Sequence, residues 1–137
     1  MASCVFCDIV AKIEKAYIVY ETDLVCCFLD KFPINKGHVL VVPKKHYQEF
    51  CEVDSKSLSQ IILTTQKIAH SLGKILNSDG ITIMQNNGVF KDVEHYHMHI
   101  IPRFKGDGFS WIEPEINVKE ADFEVLKMKL KDSLLSG

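Results

Sequence analysis

What this 137-residue chain lacks narrows its functions first. It has no excess of positive charge: 16 Lys and Arg stand against 18 Asp and Glu, for a formal charge of −2 at pH 7 and an isoelectric point near 6.3. Wrapping duplex nucleic acid needs a basic footprint, so no nucleic-acid partner is expected, while a local phosphate pocket stays open. No apolar run reaches membrane-spanning length, and no basic start with an apolar core marks a signal peptide. The chain therefore reads as cytoplasmic, with no membrane partner. Internal repeats and low-complexity segments are missing too. Five cysteines is an odd number, and Cys26 and Cys27 are adjacent; in a reducing compartment such thiols read as metal ligands or buried apolar groups rather than disulfides. What remains, 47% hydrophobic and 25% charged residues, is the composition of one domain over residues 1–137, long enough to bury a core without staples.

Cys4, Val5, Phe6, Ile9, Val10 and Ile13 have a roughly helical spacing that predicts a short amphipathic helix behind a Ser3 cap. Two strands follow, Ala16 to Tyr20 and Leu24 to Leu29, as a hairpin around Glu21-Thr22-Asp23, which leaves Asp30 just past a strand end. Pro33, Asn35 and Gly37 mark a loop, and the near-continuous apolar run His38 to Pro43 predicts a central strand. From Asp54 to Asn77 apolar residues recur every three or four positions behind an Asp54 or Ser55 cap, which predicts one long helix. Ile81 to Gln85 is a further strand, and Asn86-Asn87-Gly88 turns the chain toward the last one. A closing amphipathic helix, about 119–135, places Phe123, Leu126, Leu130 and Leu134 on one face. The order gives an α+β fold: an antiparallel sheet of about five strands with one long and one or two shorter helices packed on it.

The chemistry concentrates in His95-Tyr96-His97-Met98-His99-Ile100-Ile101, where three of the six histidines occupy alternate positions. As a strand, this segment puts His95, His97 and His99 on one face and Tyr96, Met98 and Ile100 on the other. Such a face is a polar strand surface, a three-histidine metal site, or a catalytic centre. The catalytic reading has a specific chemistry. Imidazole is largely neutral and nucleophilic at pH 7, and crowding three rings opposes their joint protonation. One neutral ring can then attack phosphorus while others donate hydrogen bonds to phosphate oxygens.

These residues, with Phe28-Leu29-Asp30, Pro33, the run Gly37 to His46 and Asn86-Asn87-Gly88, resemble the histidine-triad superfamily of nucleotide hydrolases and transferases. The likeness spans roughly residues 4 to 105, with 106–137 as a C-terminal extension, and points to the small bacterial-type nucleotide-binding members. It implies that His97, the middle histidine, attacks the α-phosphate of a nucleotide and forms a nucleotidyl-histidine that water resolves. A backbone carbonyl is the expected partner for its second nitrogen. His99 and His38 are implied to face the same phosphate, and Asp30 to accept hydrogen bonds from the ribose hydroxyls. Phe6, Ile9 and Phe28 match the base pocket, with plain core packing as the alternative. Asn86 matches a position near the phosphate, and reads equally well as a turn residue.

Some members resemble the pattern of Cys4-x-x-Cys7 with His46 and His95, a set suited to a structural Zn2+. Two cysteines packed at a helix start are the alternative. With four protein ligands such a site leaves no position for an activating water. The chain departs from the family where many members have Gln followed by Ser or Thr: here Lys91-Asp92 stands. Asp92 offers no hydroxyl and repels a phosphate unless Lys91 or a metal-bound histidine compensates, so it is not expected to bind substrate. The single tryptophan, Trp111, sits in a glycine-bearing loop that either returns it toward a pocket or is anchored by a buried indole. The resemblance thus implies a homodimeric hydrolase of purine nucleoside phosphoramidates or related substituted nucleoside monophosphates. A dinucleoside polyphosphate hydrolase, a nucleotide-binding adaptor with weak turnover and a metal-storage module are the alternatives.

Overall fold

A computed structural model describes residues 3–137. The chain forms α1 (Val5–Val10), β1 (Ile18–Glu21), β2 (Val25–Leu29), β3 (Val39–Pro43), α2 (Ser55–Leu76), β4 (Gly80–Met84), β5 (Met98–Arg103) and α3 (Glu120–Ser136). The strands make one antiparallel sheet in the order β1-β2-β3-β5-β4, the expected α+β architecture.

Side-chain alternation gives the sheet two buried faces. Val25, Cys27, Val39, Val41, Tyr96, Met98 and Ile100 pack with Ile61 and Ile68 of α2. Cys26, Phe28, Leu40 and Val42 pack on the opposite face with Phe6 and Ile9 of α1. Burial on both sides is why β2 and β3 read as unbroken apolar runs. Cys26 and Cys27 serve as small apolar groups of the two layers, and burial pushes the Cys27 thiol up to about 12.

Helix α2 starts where its cap is best: the Asp54 side chain accepts from Ser57 N at 3.4 Å, and Asn77, at φ 50°, closes the helix in the left-handed region. Gly37 has φ +90°, and a Cβ there would lie 2.5 Å from Leu76 Cδ1. Only glycine lets the loop just before His38, at the mouth of β3, pass so close to the end of α2.

Three local expectations are corrected. Cys4, not Ser3, caps α1, its sulfur accepting from Cys7 N at 3.4 Å. The last strand begins at Met98 rather than His95 and continues through Pro102 to Arg103; just before it, Tyr96 N donates to Tyr47 O instead of to a sheet neighbour. Finally, α3 does not pack on the sheet. All its residues are exposed, including Phe123, Leu126, Leu130 and Leu134, and Trp111 is 68% exposed, which rules out a buried indole anchor.

Candidate functional site

The register of the central strands assembles the site. His99 lies opposite Leu40 on β3 and Met84 on β4, and His38 immediately precedes β3, so the two rings meet on the α1 face of the sheet. His38 Nε2 is 2.9 Å from His99 Nδ1. The tautomers follow from the backbone: Ile34 N donates to His38 Nδ1 at 3.1 Å, so His38 Nε2 carries the proton and donates to His99 Nδ1. His99 is left with a free Nε2–H. Its ring centre is 4.9 Å from that of His97.

His97 is fixed from behind. Its Nδ1 donates to its neighbour's carbonyl, His95 O, at 2.7 Å, the expected backbone partner, so Nε2 is the nitrogen turned outward. The ring is 2% exposed and stands edge-on to Phe6, with centres 5.1 Å apart.

In front of His97 is a cavity of about 180 Å³, walled by Phe6, Ile9, Phe28 and Leu40, with Asp30 and Asp92 at its polar side. Phe6 and Phe28 pack edge to face at 5.3 Å. Asp30 accepts from Phe32 N at 2.9 Å and its second oxygen lies 3.6 Å from His38 Nε2, which holds the carboxylate at the sheet edge. The structure therefore brings together His97, His99, His38, Asp30, Phe6, Ile9 and Phe28. It does not bring Asn86 there: that residue is exposed in the turn after β4 and lines no part of the cavity. Leu40 was legible only as core, since its role depends on the β3–β5 register.

Asp92 changes the picture most. Its Oδ1 lies 3.0 Å from His97 Nε2, the outward nitrogen. Lys91 offers no compensation. Its ammonium is paired with Glu49 and, at 3.1 Å, with Glu94.

Behind the triad, His95 belongs to a second cluster. Cys4, Cys7, His46 and His95 place their ligand atoms within 4.8 Å of one another. Three of the sulfur-to-nitrogen separations are 3.3 to 3.5 Å and the two Nδ1 atoms are 3.2 Å apart. Tetrahedral zinc with these donors spaces sulfur and nitrogen about 3.5 Å apart, and two nitrogens about 3.3 Å. His95 Nε2 bonds Pro43 O at 2.9 Å, so Nδ1 is left as the lone-pair nitrogen facing the thiols, the orientation a metal-bound histidine takes. The four residues fit a metal ion. Burial, then Cys4, pushes the Cys7 thiol up to about 11, so binding a cation there must release thiol protons.

Burial, helped by the nearby His97 and His38, pushes His99 from the usual 6.5 down to about 4; burial lowers His38 as well. Both rings are neutral in the folded chain at pH 7. On acidification the unfolded chain takes up a proton below pH 6.5 while the folded chain resists until about pH 4. Stability is thus complete above about 6.5 and falls through that window, with His99 contributing about 3 kcal/mol. Denaturant midpoints at pH 7 and pH 4.5 should show this loss, and His99→Gln should show a smaller one; equal losses would contradict the assignment.

A HIT domain model matches residues 11–106. Over 107 residues the chain is 47% identical to an uncharacterised HIT-like protein of Methanocaldococcus jannaschii, covering 77% of this chain and 82% of the relative. It is 34% identical to the adenosine 5′-monophosphoramidase of Schizosaccharomyces pombe over 123 residues, 86% of this chain and 90% of that protein. Among solved structures, a HIT family member from Bacillus subtilis superposes with a TM-score of 0.88 at 34% identity, covering 96% of each chain. A Zn-bound histidine triad family protein from Mycobacterium smegmatis superposes with a TM-score of 0.74 at 30% identity, covering 98% of each. With the family pattern in its sequence, its sheet and its alternating histidines, this chain belongs to the HIT family.

Proposed function

We propose that the protein hydrolyses purine nucleoside phosphoramidates or related substituted nucleoside monophosphates at the α-phosphorus, with His97 as the nucleophile. The observation that carries this reading is the placement of His97: Nδ1 locked on a backbone carbonyl, Nε2 turned toward an apolar cavity walled by Phe6, Ile9, Phe28 and Leu40. The phosphoramidase activity of the S. pombe relative supports it.

In this reading Phe6, Ile9, Phe28 and Leu40 hold the base, and Asp30 accepts hydrogen bonds from the ribose hydroxyls. The Nε2 lone pair of His97 attacks phosphorus while the leaving group departs in line, and His95 O steadies the ring as positive charge develops. His99, with Nε2–H free, donates to a non-bridging oxygen; His38 sets the tautomer that leaves that proton available. Water then attacks phosphorus, the P–N bond to His97 breaks, and a nucleoside monophosphate leaves.

The same reading assigns Zn2+ to Cys4, Cys7, His46 and His95. With four protein ligands, the ion supplies cross-linking and no water-activating position. His95 then ties α1 to the strand entrance and offers the carbonyl that orients His97. We further assign a cytoplasmic homodimer, supported by the exposed apolar side chains of α3 and by the lack of any helix long and apolar enough to cross a membrane among the described residues. The test is the rate at which wild type and His97→Ala release AMP from adenosine 5′-phosphoramidate.

A further inference from the structure

Asp92 is 79% exposed at its side chain, yet its carboxylate touches the outward nitrogen of a buried ring. His97 apart, it has no cationic side-chain partner among the described residues. Lys91 is turned to Glu49 and Glu94, Lys31 at the cavity rim is 3.8 Å from Glu14, and the Lys15 ammonium lies 5.9 Å over the Tyr17 ring. Asp92 and Val93 also form the ridge between the base cavity and a second, wider hollow that reaches His46 and Glu94. A phosphorus atom that takes the place in front of Nε2 displaces the carboxylate outward, toward that hollow. Any substituent too large for the base cavity must leave the phosphorus past this displaced, uncompensated charge.

We propose that Asp92 sets the leaving-group specificity of the site, favouring amines and rejecting anionic groups such as sulfate or phosphate. The proposal rests on the hydrolase reading above. Its chemistry follows from the carboxylate held against Nε2. The Nε2 pair of His97 forms the N–P bond as the P–N bond to the amine breaks. The amine nitrogen keeps the bonding pair and takes a proton from water, and the ammonium so formed is drawn to the Asp92 carboxylate. A sulfate or phosphate leaving group needs no proton, and it meets a like charge at close range.

Two adenylyl compounds that differ only in the leaving group separate the effects: adenosine 5′-phosphoramidate and adenosine 5′-phosphosulfate. The readout is the ratio of their kcat/KM values in wild type, Asp92→Asn and Asp92→Glu. Wild type should favour the phosphoramidate. Asp92→Asn should lower the ratio at least about tenfold, the scale of one partly solvated charge, by slowing the phosphoramidate and speeding the phosphosulfate. Asp92→Glu, which keeps the charge, should restore most of it. A merely structural role would slow both substrates together, and an Asp92→Asn ratio equal to wild type, with turnover still dependent on His97, overturns the assignment of Asp92 alone. If wild type hydrolyses neither compound, or His97→Ala hydrolyses both as fast as wild type, the hydrolase reading falls and this proposal with it.

Discussion

His97→Ala should lower kcat/KM for adenosine 5′-phosphoramidate by at least about 10³-fold, the scale expected when a nucleophile is removed from a preorganised site. Binding of AMP, measured by calorimetry on the same preparation, should change little. The contrast follows from the geometry. The base cavity is built by Phe6, Ile9, Phe28 and Leu40 from α1, β2 and β3, and His97 contributes only an edge to it. Removing the ring leaves the walls standing, since the two apolar layers of the sheet pack without it. The substitution also leaves His95 O and Asp92 without their shared partner; Asp92, being exposed, turns to solvent at small cost. A rate within about tenfold of wild type would show that another group, or a directly activated water, attacks phosphorus.

Loss of the metal ligands should act on stability first and on rate second. Cys4→Ala and Cys7→Ala should yield protein without bound zinc, and each should lower unfolding free energy by at least about 3 kcal/mol, since binding energy at a structural site is folding energy. The reason lies in the three elements involved: Cys4 caps α1 and Cys7 lies within it, His46 follows β3, and His95 precedes β5, separated from Cys4 by 91 positions. Closing so long a loop through one ion restricts the unfolded chain strongly. Metal content by mass spectrometry and denaturant unfolding with and without chelator check this. Metal-free purified protein whose midpoint is untouched by chelator or by either substitution would contradict it. Any fall in rate should accompany disorder at the His95 carbonyl, seen as a changed tautomer at His97 by nitrogen NMR.

Local signals made the scaffold legible from the chain alone. Alternation placed His97 and His99 on one face and Tyr96, Met98 and Ile100 on the other, and Tyr96 does share a core with Met98 and Ile100 although regular pairing begins only at Met98. The Asp54 cap and the three-and-four spacing gave α2 to within a residue or two. Long-range relations were out of reach. The chain from Ile34 N through His38 to His99 fixes two tautomers but joins segments 61 positions apart. Lys91 looks like a neighbour for Asp92 in sequence, and is drawn away by Glu49, 42 positions upstream. Helix α3 has the composition of a packing helix, but a spacing pattern cannot say what surface receives it, and within this chain none does.

The central claim, a covalent nucleotide on His97, is tested most directly by trapping. Protein mixed with adenosine 5′-phosphoramidate and quenched in denaturant within the first turnovers should carry one adenylyl group, localised by fragmentation to His97 in the segment from His95 to Arg103, and the His97→Ala protein should carry none. Full turnover with no adduct at His97 under these conditions, or an adduct on a different side chain, would contradict the mechanism.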